Sequence, residues 1–137
     1  MSKPYYVGYY REDGLNGPNR GWIVGKFMDE LPRKNNSVEI KYWEYKVGET
    51  DHPMKESSII ECTIILKGKI KAVINGDELV LKAGEYVVVE PGIPNNTATY
   101  VLEDTIGLTI KAPSDPSAKK IVNSSDLDND AAPTREL

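Results

Sequence analysis

Short runs in which apolar and polar residues alternate recur along most of the chain. A period of two is typical of strands that bury one face, whereas the 3.6-residue period of an amphipathic helix is not evident. The pattern predicts strands over residues 4–10, 22–27, 37–48, 58–66, 69–74, 78–81, 86–90, 97–102 and 106–111. About nine short strands at near-regular spacing predict an all-β sandwich or barrel.

The segment Asn75-Gly76-Asp77 joins two of these predicted strands. Asn and Gly both tolerate positive φ, which a tight hairpin turn requires. We therefore expect strands 69–74 and 78–81 to form an antiparallel hairpin.

The strand over residues 58–66 is apolar on both sides. One face carries Glu61, Thr63 and Ile65, and the other carries Cys62, Ile64 and Leu66. Because a strand with apolar groups on both faces needs cover on both sides, one face is expected to line a barrel interior. The other face then needs a second sheet or a second subunit, and we predict a homodimer.

The chain divides into three parts by composition. Residues 1–36 are predicted to be N-terminal strands and turns that join the barrel, and residues 37–122 the barrel itself. Residues 123–137 contain few large apolar side chains and several acids, so we expect a mobile acidic tail.

A length of 137 residues suits one domain. The single cysteine, Cys62, cannot form an internal disulfide, so nothing indicates an oxidising compartment. The N-terminus is too polar for a signal peptide, and no apolar run approaches the length that spans a membrane. We expect a cytoplasmic protein without a membrane partner.

The formal net charge of −4 argues against a nucleic-acid partner, whose phosphates favour a basic surface. Local basic groups occur at Lys67, Lys69, Lys71, Lys111, Lys119 and Lys120. They are interpreted either as solvated strand faces and loops or as groups near the mouth of a pocket that attract an anionic small molecule.

Two segments resemble the motifs of the cupin superfamily. In the first, six residues separate Glu61 from Gly68, as at the end of G-x5-H-x-H-x3-4-E-x6-G. In the second, GEYVVVEPGIPNN from Gly84 resembles G-x5-P-x-G-x2-H-x3-N. The resemblance implies a double-stranded β-helix, or jelly-roll, barrel that is often dimeric. It also implies, for metal-dependent members, a metal held by three histidines and one glutamate.

The histidine positions of those motifs are not histidines here. Counted from Gly48 they fall on Met54 and Glu56 and, in the second motif, near Asn95, so only Glu61 matches. A thioether and an amide are poor ligands for hard or borderline divalent ions, and we predict no metal cofactor. A substitute metal site made of His52, Glu56, Glu61 and Asn95 stays open as an alternative.

The resulting prediction is a cupin that binds a small polar ligand, such as a sugar or nucleotide derivative. Its pocket is predicted to be bounded by His52, Glu56, Glu61, Thr63, Asn95 and Thr97. One alternative is an enzyme of the isomerase, epimerase or lyase type. It would use Glu56 and Glu61 as acid and base, since burial and mutual repulsion would raise at least one pKa, or as ligands of an atypical divalent metal. A second alternative is a purely structural dimer.

Overall fold

The computed structural model describes residues 3–50 and 52–122, so the predicted tail at 123–137 lies outside the described residues. They contain a π-helical turn, Arg11–Leu15, followed by β1 Trp22–Val24, β2 Glu39–Tyr45, β3 Lys55–Ser57, β4 Ile60–Ile74, β5 Asp77–Lys82, β6 Tyr86–Val89, β7 Asn95–Ala112 and β8 Lys119–Ile121. All eight strands belong to one curled antiparallel sheet, which confirms the predicted all-β jelly-roll class. Among the described residues no helix is long and apolar enough to cross a membrane.

Two long strands organise this sheet. β4 pairs with β5, β6 and β7, and β7 pairs with β2, β3 and β4. The sequence pattern divided each of them into two short strands, but the structure joins the halves. Register shifts between Ile65 and Ile70 of β4 let the strand bend without losing its partner, which is the usual effect of an extra residue in an antiparallel pair.

Gly68 lies at this bend. Its φ of +92° is accessible to glycine and strained for other residues. A Cβ at this position would run into the backbone of Asp104 and Thr105, and the Lys69 N–H donates to Thr105 Oγ1 at 3.0 Å. The glycine therefore allows the two long strands to approach closely where they bend.

The alternation predicted for β4 is confirmed. Glu61, Thr63 and Ile65 are buried on the inner face, whereas Leu66 is 52% exposed. The inner face contributes to a core of Trp43, Ile65, Ile70, Ala72, Leu81 and Val101. The Asn75-Gly76 hairpin is confirmed as well, with φ of 51° and 83° and Ile74 paired to Asp77.

The sequence pattern was wrong at both ends of the barrel. Residues 4–10 do not form a strand, and Tyr10 instead packs on Tyr42 with ring centroids 4.3 Å apart. Conversely, β3 and β8 were missed because three residues are too short to show a period of two. These two strands pair with each other and carry side chains of the cavity described below.

The outer face of β4 and β6 is apolar and exposed. Ile60 and Leu66 of β4 and Tyr86 and Val88 of β6 are each at least 44% exposed, and Tyr86 reaches 68%. Cys62 lies opposite Val88 in the same register, so the exposed residues form one continuous surface. This is the face for which the sequence predicted cover by a second subunit, and the homodimer stays a prediction.

We expect Val88→Lys to yield a monomer and the wild-type protein to show twice the chain mass in size-exclusion chromatography with light scattering. A lysine in the centre of an apolar interface would lose its hydration without a partner. Leu31→Lys, which changes an equally apolar residue exposed in a loop, is the matched control and should remain dimeric. A monomeric wild-type protein at micromolar concentration would contradict the prediction.

Candidate functional site

A cavity opens on the inner face of the sheet. Strand register brings its walls together: Glu61 of β4 lies opposite Lys111 of β7, and Trp22 of β1 lies opposite Lys41 of β2. The lining includes four lysines, Lys41, Lys55, Lys111 and Lys119, one carboxylate, Glu61, and the rings of Trp22, Tyr45 and His52. The cavity proper has a volume of about 50 Å³, so a ligand larger than a small anion has to extend into the open mouth.

An ion pair between Lys55 and Glu61 occupies the inner part of the cavity. Lys55 Nζ lies 2.7 Å from Glu61 Oε1 and 2.9 Å from Oε2, and it donates to Asn95 Oδ1 at 3.2 Å. The Lys55 and Glu61 side chains are only 16% and 4% exposed. The Asn95 amide donates to the Ile93 carbonyl at 3.0 Å, which turns its oxygen towards the lysine. One ammonium group thus contacts three oxygen atoms.

The charge of Glu61 is set by the lysines around it. Burial raises the pKa of its carboxyl group, but Lys55, Lys111 and Lys119 together outweigh burial and hold the pKa below the ordinary value. Glu61 is therefore ionised at neutral pH. The enzyme alternative expected burial and mutual repulsion to raise the pKa of Glu56 or Glu61. The pKa of Glu61 is lowered instead, because its neighbours are ammonium groups.

Glu56 does not line this cavity. It lies in β3 opposite Lys120 of β8, and strand alternation directs it away from the face that carries Lys55. The motif count from Gly48 expected Met54 and Glu56 to face Glu61, whereas the structure places Lys55, the residue between them, in that position.

Lys111 is the most enclosed ammonium group of the cavity. It is 6% exposed, and its Nζ lies 5.6 Å from the ring centroid of Trp22, over which Lys41 Nζ also lies at 5.8 Å. Two cations near one indole ring each gain from the negative charge of its faces but repel each other. Burial lowers the pKa of Lys111, and Lys55 and Lys41 lower it further against the opposing effect of Glu61 and Glu39.

Aromatic rings form the opposite wall. Tyr45 stacks on Trp43 with centroids 4.4 Å apart, and His52 packs on Tyr45 at the same distance. His52 Nε2 lies 3.7 Å from Glu49 Oε1, and the His52 carbonyl accepts a hydrogen bond from Asn96 Nδ2 at 2.6 Å. Asn96 thereby ties the segment before β3 to β7 and holds the imidazole beside the cavity.

The structure brings together most of the residues predicted for the pocket. His52, Glu61 and Thr97 line the cavity, Asn95 contacts Lys55 behind it, Thr63 is buried next to Glu61 on the same face, and Glu56 lies outside. Sequence reasoning missed Trp22, Lys41 and Lys55 as pocket residues. The sequence did contain a signal for Lys41. It lies two residues before Trp43 in a predicted strand, so it shares the face of a large aromatic side chain.

The described residues do not fit a divalent transition metal. They contain no group of three histidine, cysteine, aspartate or glutamate side chains that could hold such an ion. The Glu61 and Asn95 oxygens, which the motif count assigns to a metal, already contact Lys55 Nζ. A metal ion bound to them would also be repelled by the other three lysines of the lining. The alternative set of His52, Glu56, Glu61 and Asn95 is not assembled, since Glu56 lies away from the cavity.

The comparison with known proteins agrees with this architecture. Residues 41–99 match the family model described as a cupin domain. No protein with a curated description matches the chain. A protein with a double-stranded β-helix domain from Klebsiella pneumoniae subsp. pneumoniae MGH 78578 superposes with a TM-score of 0.58 at 17% identity, covering 66% of this chain and 78% of that one.

Two further structures show the same fold inside larger proteins. A salicylate 1,2-dioxygenase from Pseudaminobacter salicylatoxidans has a TM-score of 0.51 at 14% identity, covering 56% of this chain but 21% of the dioxygenase. A proposed sugar phosphate isomerase from Acidithiobacillus ferrooxidans ATCC 23270 has a TM-score of 0.50 at 15% identity, covering 56% of this chain and 50% of that protein. At such identities the likeness shows the fold alone.

Replacing Lys55 with methionine should lower the free energy of unfolding by about 3–5 kcal/mol, because it leaves the buried Glu61 carboxylate without its partner. The double replacement Lys55→Met with Glu61→Leu should be far less damaging, since it removes both charges together. Lys82→Met, at an exposed lysine of β5, is the control and should melt like the wild type. Urea unfolding at pH 7 measures all four proteins.

The Lys55–Glu61 ion pair also predicts that the free energy of unfolding depends on pH. The pKa of Glu61 is lower in the folded protein than its ordinary value of 4.5, so the stabilisation exists above that value and is lost as the pH falls through the folded pKa. The stability difference between wild type and Lys55→Met should therefore shrink in acid below about pH 4. An unchanged difference down to about pH 3 would contradict this assignment.

Purified protein is expected to hold well under one equivalent of iron, nickel, zinc or manganese, because the cavity offers one ionised carboxylate among four ammonium groups. Elemental analysis after dialysis measures this content. A stoichiometric metal that survives dialysis and disappears in Glu61→Gln would overturn the prediction.

Proposed function

We propose that this protein, a member of the cupin superfamily, binds a small anionic molecule in its lysine-lined cavity. A sugar or nucleotide derivative that carries a phosphate or carboxylate fits this chemistry. The observation that carries the proposal is the charge of the lining, which includes four ammonium groups and one carboxylate.

The cavity lining and the whole chain have net charges of opposite sign. The whole protein has a formal net charge of −4, yet positive charge is concentrated in one concave, partly buried place. Protein of low dielectric constant around a concave charged site focuses the electric field there. The site then attracts ions of the opposite sign. An anion bound among Lys41, Lys111 and Lys119 would also relieve their mutual repulsion, which burial strengthens.

The aromatic wall supplies a second kind of contact. Tyr45, His52, Thr97 and Thr109 all line the cavity, so it offers aromatic atoms and hydroxyl groups beside its lysines. A ring face packs against a sugar or a base, while hydroxyls and ammonium groups pair with its polar substituents. This combination favours a ligand with both a flat or cyclic part and an anionic group.

An enzyme of the isomerase, epimerase or lyase type is the second candidate. It is supported by the placement of the ionised carboxylate of Glu61 opposite Lys111, a pair that can accept and donate protons at the same ligand. A purely structural barrel is the third candidate and predicts no ligand. We also propose a cytoplasmic location, because the single cysteine cannot form an internal disulfide.

Phosphorylated and carboxylated sugars and nucleotides should raise the melting temperature, and their uncharged analogues should not. Lys41→Met should weaken binding by about tenfold, because a hydrogen bond to a charged group contributes roughly 1.5–3 kcal/mol. Lys71→Met, at an exposed lysine, is the matched control. Thermal melting of a ligand panel followed by titration calorimetry provides the measurement.

Higher ionic strength should weaken the interaction, since salt screens charges at the cavity mouth. Equal melting shifts for neutral and anionic sugars would contradict the anionic proposal. The absence of any shift across the panel would favour the structural barrel.

A further inference from the structure

Lys111 is a buried amine that faces a cavity and lacks a close counter-ion. Lys111 is 6% exposed, and its Nζ lies 5.6 Å from the ring centroid of Trp22. Within residues 3–50 and 52–122, no carboxylate lies within ion-pair distance of Lys111 Nζ. Burial without a paired counter-ion disfavours the ammonium form, whereas the Trp22 ring favours it.

The two carboxylates that flank Lys111 are engaged elsewhere. Glu39 of β2 and Glu61 of β4 both lie opposite Lys111 in strand register. Glu39 Oε2 accepts a hydrogen bond from Ser114 Oγ at 3.0 Å, and both oxygens of Glu61 contact Lys55 Nζ. Neither carboxylate therefore holds the proton of Lys111 through a direct ion pair.

The pKa of Lys111 is lowered, first by burial and then by the positive charges of Lys55 and Lys41. A lower pKa leaves a larger share of the side chain as free amine at neutral pH than in an exposed lysine. Desolvation and a neighbouring cation are the two conditions that make a lysine nucleophilic towards carbonyl compounds. Lys55 is a weaker candidate, since its Nζ is held by both oxygens of Glu61 and by Asn95 Oδ1.

We propose that Lys111 is a nucleophile that forms an imine with a small aldehyde or ketone bearing a carboxylate or phosphate group. This inference rests on the proposed function, because the other lysines of the cavity would hold the anionic group. The Lys111 Nζ lone pair attacks the carbonyl carbon, and the carbonyl oxygen takes up a proton to give a carbinolamine. One amine proton thus ends on the carbinolamine oxygen, and the second is then passed to the same oxygen, which leaves as water. A C=N bond replaces the C=O bond without any change of oxidation level.

The proton transfers of this step use no carboxylate, because both oxygens of Glu61 are held by Lys55 Nζ. The two protons of the attacking amine pass to the carbonyl oxygen directly or through water. Only an amine, a carbonyl compound and water take part.

Reductive trapping tests this inference on the full chain. The protein is incubated at neutral pH with sodium cyanoborohydride and either pyruvate, a carboxylate ketone, or glyceraldehyde 3-phosphate, a phosphate aldehyde. Intact-mass spectrometry and peptide mapping then locate the adduct. We expect one adduct, at Lys111, formed about tenfold faster than at the exposed Lys71, because Lys111 lines the cavity and burial lowers its pKa. Protection of Lys111 by lactate or by glycerol 3-phosphate identifies the anionic group that the cavity prefers.

Lys111→Arg should abolish the adduct while retaining the positive charge, and Lys71→Arg should leave it unchanged. The trapping rate at Lys111 should also reach half its maximum at a pH below the ordinary lysine pKa of 10.5. An adduct spread evenly over exposed lysines, or one that persists in Lys111→Arg, overturns the inference. If the arginine variant does not fold, peptide mapping of the wild type decides by the site of the adduct alone.

Lactate and glycerol 3-phosphate, which carry the same anionic groups without a carbonyl, separate this inference from the proposed function. Binding of these compounds without any carbonyl adduct overturns the role of Lys111 and leaves the anionic cavity in place. Absence of both binding and adduct overturns both proposals.

Discussion

The ion pair between Lys55 and Glu61 is the interaction on which the site depends. It links β3 to β4, and through Asn95 it reaches β7, so three strands meet at one buried ammonium group. Two charges withdrawn from water are stable only when each is fully paired and hydrogen-bonded. That constraint explains why Asn95 is turned towards Lys55 and why Glu61 remains ionised despite burial.

The Lys55 ammonium group determines the net charge of the cavity lining. A carboxylate that could contribute to a cation site is neutralised, and Lys41, Lys111 and Lys119 leave the lining with an excess of positive charge. Two of these lysines lie over the ring of Trp22. The described lining therefore carries more positive than negative charge, and the proposal of an anionic ligand rests on that excess.

The likeness to known structures concerns the fold. The double-stranded β-helix protein and the dioxygenase share the arrangement of strands at 17% and 14% identity, which reflects backbone geometry and core packing. The charge of the cavity depends instead on a few side chains, among them Lys55 and Lys111. Similar folds therefore tolerate different chemistry at the same place, because the barrel is held together by its core and its hydrogen-bonded strands.

The sequence by itself determined the fold class, the Asn75-Gly76 hairpin and the inward direction of Glu61, since these follow from a period of two and from local turn chemistry. It also led to His52 and Asn95, but it could not identify Lys55 as the partner of Glu61. Only the tertiary structure decided that, because β3 is too short to show a period and its pairing with β7 and β8 joins residues far apart in the chain. The charge of a cavity arises from such long-range pairing, which no local pattern contains.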